Sequence, residues 1–590
     1  MLEGTDEFAL EAVTQWLAAF ETALSRPNFE AAELLFHADG YWRDLLAFTW
    51  RIQTVRGGDN IVAALKTHTG NGQAGHFQID LGRTAPRIVT RAGTETIEAI
   101  FSFETATGLA NGILRLTPDE DEGHGLKAWS LMTALEELRG FEETVGSTRP
   151  TGEVWSRDFR GPNWLDGRQA AIAYIDRDPE VLVVGGGQAG LSIAARLTQL
   201  NVDTLIVDRE QRIGDNWRNR YHALVLHNQV HVNHLPYMPF PPNWPTYIPK
   251  DKIAGWLESY AENMELNCWT GTEFSGATWD TDTARWSVTL NLPDGKSREM
   301  HPRHIVMATG VSGIPSLPDL PGLESFSGRI MHSSEYDEGS DWTGRNVLIV
   351  GTGNSAHDIA QDLHAHNAHV TMVQRSPTMI LNVEPSAQLP YALYSEGPPL
   401  ADCDLITTSM PFQVMRKSHQ VITEQIKILD KDLLDNLSRV GFKTDFGWDQ
   451  SGWQFKYLER GGGYYFNIGC SYLIINGQIG LAQLSDIDTL VADGARMVSG
   501  DTLPADLIVL ATGYKGQEVL VRQLFGENVA DRVGPIWGFD EEQHELRNMF
   551  VRTGQPGLWF IAGSFAQCRI YSKYLGLQIK ACEEGLIPLI

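Results

Sequence analysis

The chain has 590 residues, more than one hydrophobic core supports, so two to four domains are expected. Its formal net charge of −27 argues against nucleic acid or an anionic membrane as a partner, because either would repel such a surface. No apolar run is long enough for a membrane helix, and the acidic start does not resemble a secretory signal. The five cysteines are scattered without a Cys-x-x-Cys, so we expect no disulfide framework or cysteine zinc site, and a cytoplasmic location.

The first 145 residues predict a small α+β domain. Apolar side chains recur at helical spacing over residues 8–23. Alternating stretches at 95–104, 113–117 and 127–135 then predict strands of a curved antiparallel sheet. Residues 146–178, whose first part is rich in Gly, Pro, Arg and Ser, are predicted to be a linker.

From residue 179 the pattern becomes strand, helix, strand. The apolar run Val181–Val184 ends in glycines, and a helical stretch leads to a second apolar run, Thr204–Val207. The same order starts again at Asn346–Val350. Strand–helix–strand is the unit of a parallel sheet. The sequence therefore predicts an α/β fold with two nested Rossmann-type dinucleotide-binding domains, preceded by the α+β domain.

The first glycine motif fits G-x-G-x-x-G at Gly185, Gly187 and Gly190. In this pattern the glycines permit a tight turn, close approach to a pyrophosphate, and packing of the helix on the strand. Three fixed glycines are weak alone, and the alternative is a turn in an unrelated α/β protein. The flanking strand and helix favour a nucleotide. Asp208, which follows the next strand, is placed to bind a ribose hydroxyl.

The second motif has Gly351 and Gly353, with Ala356 at the third glycine position. Its partner strand ends at Arg375 and Ser376, without an acidic residue. Since an arginine can pair with a 2′-phosphate that a carboxylate would repel, this site predicts NADPH rather than NADH. The alternative for Arg375 is a solvated surface side chain. Two dinucleotide sites in one chain indicate that electrons pass between two cofactors.

Between the two sites, Phe326, Gly328, His332 and Tyr336 spell the pattern F-x-G-x-x-x-H-x-x-x-Y. In this the sequence resembles the class B flavoprotein monooxygenases, in the flavin-containing branch that includes the plant indole-pyruvate monooxygenases. The related Baeyer–Villiger pattern ends in Trp-Pro, whereas Tyr336 is followed by Asp337. Residues 214–218, 308–310 and 506–514 also resemble segments of the family.

The resemblance implies an enzyme that uses FAD, NADPH and O2. NADPH would reduce FAD, oxygen would add at the flavin C4a to form a peroxide, and one oxygen atom would pass to a small organic substrate. An asparagine near the flavin is part of the family pattern, and Asn228 is the nearest match, although the register could place His227 there. A loop asparagine making a turn is the alternative. His332 could equally serve a hinge between domains. Residues 378–480, with a helical stretch at 415–437 and several aromatics, would form part of a substrate channel.

The amino-terminal region resembles nuclear-transport-factor-2-like cone folds, which hold a ligand or dimerise, so a homodimer is possible. Trp42, Arg43 and Asp44 could line a pocket, but a structural Arg–Asp pair at a strand end is favoured. His227, His231 and His234 suggest a metal site, but no acids support such ligands, and we predict no metal.

The predicted domains are residues 1–145 (cone-like), 146–178 (linker), 179–340 (FAD, first part), 341–490 (NADPH, with the channel insertion) and 491–590 (FAD, return segment). The predicted catalytic residues are Asn228, His227 and His332. The predicted cofactor-binding residues are Gly185, Gly187, Gln188, Ala189, Gly190, Asp208, Arg209, Asn216, Trp217, Gly351, Gly353, Asn354, Ser355, Arg375, Ser376, Thr512 and Gly513.

Three alternatives remain at this point. A disulfide reductase would need a cysteine pair near the flavin, and none is visible in the sequence. Baeyer–Villiger oxidation or N-hydroxylation on the same scaffold is the closest rival. A redox-sensing or binding protein without oxygenase activity is a different class, against which two intact glycine motifs argue.

Overall fold

The computed structural model describes residues 5–25, 29–68, 74–119, 125–151, 159–540, 542 and 544–589. Its amino-terminal domain is a seven-stranded sheet in the order β2-β1-β7-β6-β5-β3, with β4 paired to β5. Strands β1 and β7 are parallel and the other pairs antiparallel, so the sheet is mixed. The elements are α1 Asp6–Ser25, α2 Phe29–Glu33, β1 Phe36–Leu45, β2 Ile52–Arg56, α3 Gly58–His68, β3 Gly75–Ile79, β4 Arg87–Arg91, β5 Thr94–Glu104, β6 Gly108–Pro118 and β7 Leu126–Leu138.

Aromatic rings fill the core of this domain. Phe77 stacks on Phe103 with ring centroids 4.8 Å apart, and Phe20 of α1 meets Phe77 edge to face at 5.4 Å. The helix predicted at 8–23 and the three predicted strands are confirmed. The sheet is antiparallel only in part, because β1 inserts beside β7 in the same direction.

The predicted Arg43–Asp44 pair is wrong. Successive residues of a strand face opposite sides of the sheet, so the two side chains diverge. Asp44 stays in the domain, accepting hydrogen bonds from the hydroxyls of Thr133 and Thr49, both 2.6 Å away. The Arg43 side chain points out of the domain and forms a buried bidentate ion pair with Glu545. Its Nε donates to Glu545 Oε1 at 2.8 Å and its Nη2 donates to Glu545 Oε2 at 2.6 Å.

The predicted linker contains a helix, α4 (Trp164–Ala173), that sequence reasoning missed. Asn163 caps it by accepting from Asp166 N, while Asp166 accepts from Asn163 N. The helix is anchored to the next domain by Trp269, whose Nε1 donates to Ile172 O at 2.8 Å. Residues 152–158 of the linker lie outside the described chain.

The first parallel sheet has the order β10-β9-β8-β14-β27. Four of its strands are buried along their whole length and the edge strand Asn267–Trp269 is half-buried, with helices packed against the sheet. Two of these helices pack together, one following the first glycine motif and one near the end of the chain. The elements are β8 Val181–Val184, α5 Gln188–Gln199, β9 Thr204–Val207, β10 Asn267–Trp269, β14 His304–Met307, β27 Leu558–Phe560 and α16 Phe565–Glu583.

The second parallel sheet has the order β16-β25-β17-β18-β21. It comprises β16 Arg329–His332, β17 Asn346–Val350, α8 Asn354–Ala365, β18 His369–Gln374, β21 Gly480–Gln483 and β25 Leu507–Leu510. Strands β16 and β25 come from segments predicted to belong to the FAD domain, yet both pair in this sheet. Both strands therefore lie in the second sheet, and the domain boundaries at 340/341 and 490/491 stay predictions.

Shorter elements connect and cover the two sheets. The helix expected at 415–437 is two helices that break at the buried Asp430, whose carboxylate accepts hydrogen bonds from Asn382 N and Nδ2 at 3.0 and 2.7 Å. Among the described residues no helix is both long and apolar enough to cross a bilayer. The remaining helices and strands are α6 Asp215–Arg218, α7 Lys250–Asn263, β11 Glu273–Asp280, β12 Arg285–Asn291, β13 Ser297–Met300, β15 Ile314–Pro315, β19 Met379–Asn382, α9 Leu400–Thr408, α10 Phe412–Leu429, α11 Lys431–Arg439, α12 Gly452–Arg460, β20 Tyr464–Asn467, α13 Cys470–Ile475, β22 Ile487–Val491, β23 Gly494–Met497, β24 Thr502–Pro504, β26 Tyr514–Lys515, α14 Gln517–Phe525 and α15 Glu527–Val533.

Candidate active site

The first glycine turn has the geometry that a pyrophosphate requires. Gly185 has φ +109°, and a Cβ on Gly190 would overlap the carbonyl oxygen of Gly185, so both positions need glycine. Gly187 precedes α5, whose first N–H groups have no side-chain cap. A Cβ on Gly187 would lie 2.9 Å from Asn216 Nδ2, so Asn216 borders the same opening. Free N–H groups at a helix start are suited to a phosphate.

Asp208 closes this turn from the end of β9. Its Oδ2 accepts from Gly186 N at 2.6 Å and its Oδ1 accepts from Glu210 N at 2.8 Å. The carboxylate thus lies beside the glycines, as the motif predicts, and its ribose contact stays a prediction. Arg209 projects into solvent, 75% exposed, at 3.7 Å from Glu210.

Gln188 and Trp217 connect the first turn to the carboxyl-terminal helix. Trp217 Nε1 donates to Gln188 Oε1, and Gln188 Nε2 donates to Gly563 O, both at 3.3 Å. The Trp217 ring also stacks on Phe565, with centroids 5.9 Å apart. The side chains of two predicted cofactor residues therefore hold the start of α16 against the turn.

Sequence reasoning missed Ser564 and Gln567 at the start of α16. Ser564 Oγ accepts from Gln567 N, and Gln567 Oε1 accepts both from Ser564 N and from the Tyr457 hydroxyl at 3.1 Å. The signal was present, because Ser-x-x-Gln ahead of an apolar helix is a capping box. Gln567 links the first site to the aromatic region around Tyr457.

The second glycine turn repeats the first with fewer constraints. Gly351 has φ +130°, and a Cβ there would overlap Ala511 O. A Cβ on Gly353 would meet only Tyr464 O, at 3.8 Å, which leaves room for a phosphate at the uncapped start of α8. Asn354 Oδ1 accepts from Phe466 N at 3.0 Å. Ser355, half-buried, is on the first turn of the same helix.

Arg375 and Ser376 are exposed directly after β18. No carboxylate of the described chain forms an ion pair with Arg375. An unpaired guanidinium beside an uncapped glycine turn matches a 2′-phosphate.

His332, Thr512 and Gly513 form a junction between the two sheets. His332 is 1% exposed; its Nδ1 lies 2.8 Å from Ser334 Oγ and its Nε2 lies 3.1 Å from Gly513 O. Thr512 Oγ1 donates to Ser316 O at 2.6 Å. Because both His332 nitrogens have partners and burial lowers the pKa of His332, this residue fits the hinge alternative rather than proton transfer.

Two tyrosine hydroxyls hold helix α8 in place by hydrogen bonds to its carboxylates. Tyr221 OH donates to Asp358 Oδ2 at 2.6 Å, and Tyr336 OH donates to Asp362 Oδ2 at 2.5 Å. Burial raises the pKa of Asp358 to about 6. Tyr336 is the last residue of the fingerprint, so this motif buttresses the second site through its final hydroxyl. Sequence reasoning did not identify Tyr221 or the two aspartates.

His227 and Asn228 face the insertion that follows β18. The His227 ring meets Phe466 edge to face, with centroids 4.7 Å apart. Burial lowers the pKa of His227 to about 4, so its imidazole is neutral at pH 7. Asn228 Nδ2 donates to Tyr391 OH at 3.2 Å, and Asn228 Oδ1 is buried with no partner among the described residues.

These residues pack in an aromatic cluster, which we call the aromatic chamber and define by His227, Asn228, Tyr391, Trp453, Tyr464 and Phe466. Trp453 meets Phe466 at 4.9 Å and Tyr391 at 6.0 Å, and Tyr464 stacks on Phe466 at 5.1 Å. Trp453 Nε1 is another buried polar atom without a partner in the described chain. The chamber touches the second glycine helix, since Asn354 binds Phe466 N.

The surroundings of His227, His231 and His234 give little support for a metal site. His234 Nδ1 accepts from Phe240 N at 2.9 Å. Within the described residues no group of three or more His, Cys, Asp or Glu side chains is arranged around a common point. All five cysteines are described, and each is a free thiol.

A family model described as pyridine nucleotide-disulphide oxidoreductase matches residues 182–393. That span covers the first glycine motif, the fingerprint and the second glycine motif. It contains a single cysteine, Cys268, whose pKa burial raises to about 12. Without a second thiol beside it, the dithiol chemistry in the family's name has no residues here.

Two curated relatives from Arabidopsis thaliana are named as probable indole-3-pyruvate monooxygenases. One is 29% identical over 338 residues, which cover 57% of this chain and 76% of the relative. The other is 30% identical over 339 residues, covering 57% of this chain and 72% of the relative. A solved structure of cyclohexanone monooxygenase from Rhodococcus sp. Phi1 bound to NADP+ covers 69% of this chain and 85% of its own, at 17% identity and a TM-score of 0.51.

The structural likeness shows the shared fold of two dinucleotide-binding domains, and the sequence likeness shows the family. The two glycine turns, the fingerprint between them and the single cysteine within residues 182–393 are consistent with this fold and with this family. The chain belongs to the FAD- and NADPH-dependent class B flavoprotein monooxygenases, the family of the indole-3-pyruvate monooxygenases.

Proposed function

We propose that the protein oxygenates a small aromatic substrate bound in the aromatic chamber. The reaction would be S + O2 + NADPH + H+ → SO + NADP+ + H2O. The observation that carries the proposal is the position of the chamber: Phe466 joins it to the second glycine helix through Asn354, and Tyr464 lies beside Tyr457, which Gln567 joins to the first site.

The two glycine sites support the assignment of the cofactors to their places. Gly185, Gly187 and Gly190 form a cradle that any Cβ would narrow, and Asp208 closes it, which fits the pyrophosphate and ribose of FAD. Gly351 and Gly353 with Arg375 fit NADPH in the same way. When bound, FAD takes a hydride from NADPH and then activates O2.

The protein's own task is to orient the substrate and to keep water out. We assign Asn228 to orientation: one end of its amide is fixed by Tyr391, and the other end is free for a polar atom of a ligand. His227 is neutral at working pH because burial lowers its pKa to about 4, so it offers a hydrogen bond without bringing a charge into the chamber.

The walls favour a planar ring. Tyr391, Trp453, Tyr464 and Phe466 pack against one another with ring centroids 4.9–6.0 Å apart, and aromatic side chains of this kind bind a planar ring through edge or offset-stacked contacts. The curated relatives are named for indole-3-pyruvate, an aromatic 2-oxo acid. We therefore propose aromatic 2-oxo acids as the first substrates to test.

The test uses the purified, FAD-loaded full chain with NADPH and 18O2. Indole-3-pyruvate, phenylpyruvate, cyclohexanone and N,N-dimethylaniline would be supplied separately, with NADPH, peroxide and 18O-labelled product measured for each. We expect labelled product and little free peroxide with the aromatic acids. Labelled product from cyclohexanone alone would contradict the proposal and support the Baeyer–Villiger alternative, and product from the amine alone would support N-oxygenation.

Asn228→Asp and Asn228→Ala separate orientation from a turn role. If Asn228 orients the substrate, Asn228→Ala should raise the KM for the organic substrate about tenfold, because a hydrogen bond to a ligand contributes about 1.4 kcal/mol. Asn228→Asp keeps an oxygen acceptor and loses the contact with Tyr391, so it should raise that KM by less. The KM for NADPH should not change. An unchanged substrate KM in both variants would leave Asn228 as a turn residue.

A further inference from the structure

Side chains of the amino-terminal domain contact helix α9. Thr84 N and Oγ1 donate to Asp402 Oδ2 at 2.8 and 2.6 Å, and Asp402 is 3% exposed. Arg43 donates to Thr408 O at the other end of the helix, and Arg115 donates to Ile406 O at 3.4 Å.

These contacts are buried and charged. Arg43 and Arg115 are 1% and 0% exposed, and each also pairs with a buried carboxylate, Glu545 and Glu98 respectively. Buried ion pairs of this kind define one geometry, since any displacement leaves a charge without its partner. Helix α9 is therefore fixed at both ends by side chains of another domain.

In the middle of the same helix, Asp404 faces the opposite way. Its Oδ1 accepts from the Tyr394 hydroxyl at 2.8 Å and from Arg569 Nη2 at 2.7 Å, and its Oδ2 accepts from Arg569 Nε at 2.8 Å. Tyr394 lies on the 3₁₀ helix Ser386–Ser395, the segment that also carries Tyr391. Asp404 thus holds the segment that carries one chamber residue, Tyr391.

Arg569 carries the connection to the other wall. It is 4% exposed, and its Nη1 donates to Val232 O at 2.8 Å and to His234 O at 2.7 Å. The residue between them, Asn233, donates from Nδ2 to Asn228 O at 3.0 Å. The loop that presents Asn228 is therefore fixed by Arg569, and Arg569 is fixed by Asp404.

We propose that Asp404 and Arg569 are positioning residues through which the amino-terminal domain sets the distance between the two walls of the aromatic chamber. The domain then acts on oxygen transfer without touching substrate or cofactor. This inference rests on the proposed function only for what the chamber holds; the mechanical connection itself can be measured in the protein without ligands.

The first measurement is hydrogen exchange on the full chain without substrate, comparing Asp404→Asn with the wild type. Asparagine keeps the size of the side chain and one acceptor but loses the charge that holds Arg569. We expect faster amide exchange, about tenfold, in residues 227–234 and 386–395, with β8 and β17 unchanged. Asp488→Asn is the matched control, since Asp488 pairs with Arg496 on an exposed hairpin with both side chains about half exposed.

The second measurement is how fully NADPH oxidation is coupled to product formation in the FAD-loaded enzyme. In Asp404→Asn we expect the KM for the organic substrate to rise about tenfold and peroxide to replace product, while anaerobic flavin reduction by NADPH keeps its rate. Asp402→Asn, which loosens the grip of the amino-terminal domain, should change exchange and coupling in the same direction and by less. Asp402→Asn also provides the test if Asp404→Asn does not fold.

Unchanged exchange in both segments for Asp404→Asn and Asp402→Asn would overturn the inference. So would equal acceleration across the whole chain, because that is the result of general destabilisation. A wild-type enzyme that yields no product from any substrate would count against the proposed function instead, and the exchange result would still decide the inference.

Discussion

The two glycine turns share one backbone design, and three of the positions at which their sequences differ bear on what each site can bind. Where the first turn has Gly190, the second has Ala356, and where the first helix continues with buried Leu191, the second has buried His357. After the partner strand, Asp208 stands in one site and Arg375 in the other. The common backbone fits a dinucleotide at both turns, and at these three positions we expect the two sites to be specialised.

The largest expected effect comes from exchanging the third position of the two motifs. In Gly190→Ala the added Cβ would overlap Gly185 O, so the strand and helix must separate at the phosphate cradle. We expect FAD affinity to fall about 100-fold, as overpacking of this kind costs about 1–3 kcal/mol. The holoenzyme fraction and a flavin fluorescence titration measure it.

The reciprocal change, Ala356→Gly, is the control. It removes a methyl group and adds backbone freedom, at about 0.5–1 kcal/mol of stability, so NADPH affinity should stay within about twofold. Full FAD binding by Gly190→Ala would mean that the first turn tolerates separation of helix and strand, and the proposed difference between the sites would be lost.

Arg375→Ala tests the distinction between the cofactors. Loss of a charge-assisted contact to the 2′-phosphate should raise the KM for NADPH about 10- to 100-fold and leave that for NADH within about twofold. Arg345→Ala, at the other end of the same sheet, removes a 63% exposed arginine and should change neither. Equal losses for both nucleotides in Arg375→Ala would refute the 2′-phosphate role.

Stability rather than cofactor binding is affected at His357, which stacks on Tyr465 with ring centroids 3.9 Å apart. Burial lowers the pKa of His357 from 6.5 to about 4, so the unfolded chain binds this proton first as pH falls. Stability from the neutral ring is complete above pH 6.5 and is lost toward pH 4, by up to about 3 kcal/mol. His357→Leu, which copies Leu191, should flatten the pH dependence of the urea midpoint between pH 4 and 6.5. An unchanged slope would contradict the shift.

Much of this arrangement was predictable because it is local. Strand, glycine turn and helix follow one another in sequence, so Gly185–Gly190 and its copy could be identified from spacing, and the structure places Asp208 on its turn as expected. The capping box at Ser564 was also visible, although it was not used. These features depend on neighbours within a few residues.

The connections between distant segments were not predictable. Asp358 and Tyr221 are 137 residues apart, and Arg43 and Glu545 are 502 apart, so no local pattern pairs them. The assignment of β16 and β25 to the second sheet likewise depends on hydrogen bonds between remote strands. The aromatic chamber is assembled from three such segments.

The sequence by itself determined the two glycine turns and predicted which cofactor each binds, because steric limits at glycine and the charge at a strand end act over short distances. It also determined the family, through the fingerprint between them. Only the tertiary structure decided which sheet β16 and β25 join, which partners His332 has and which residues hold the chamber. Those outcomes depend on burial and on ion pairs between residues far apart in the chain, whose cost without a partner is what fixes the geometry.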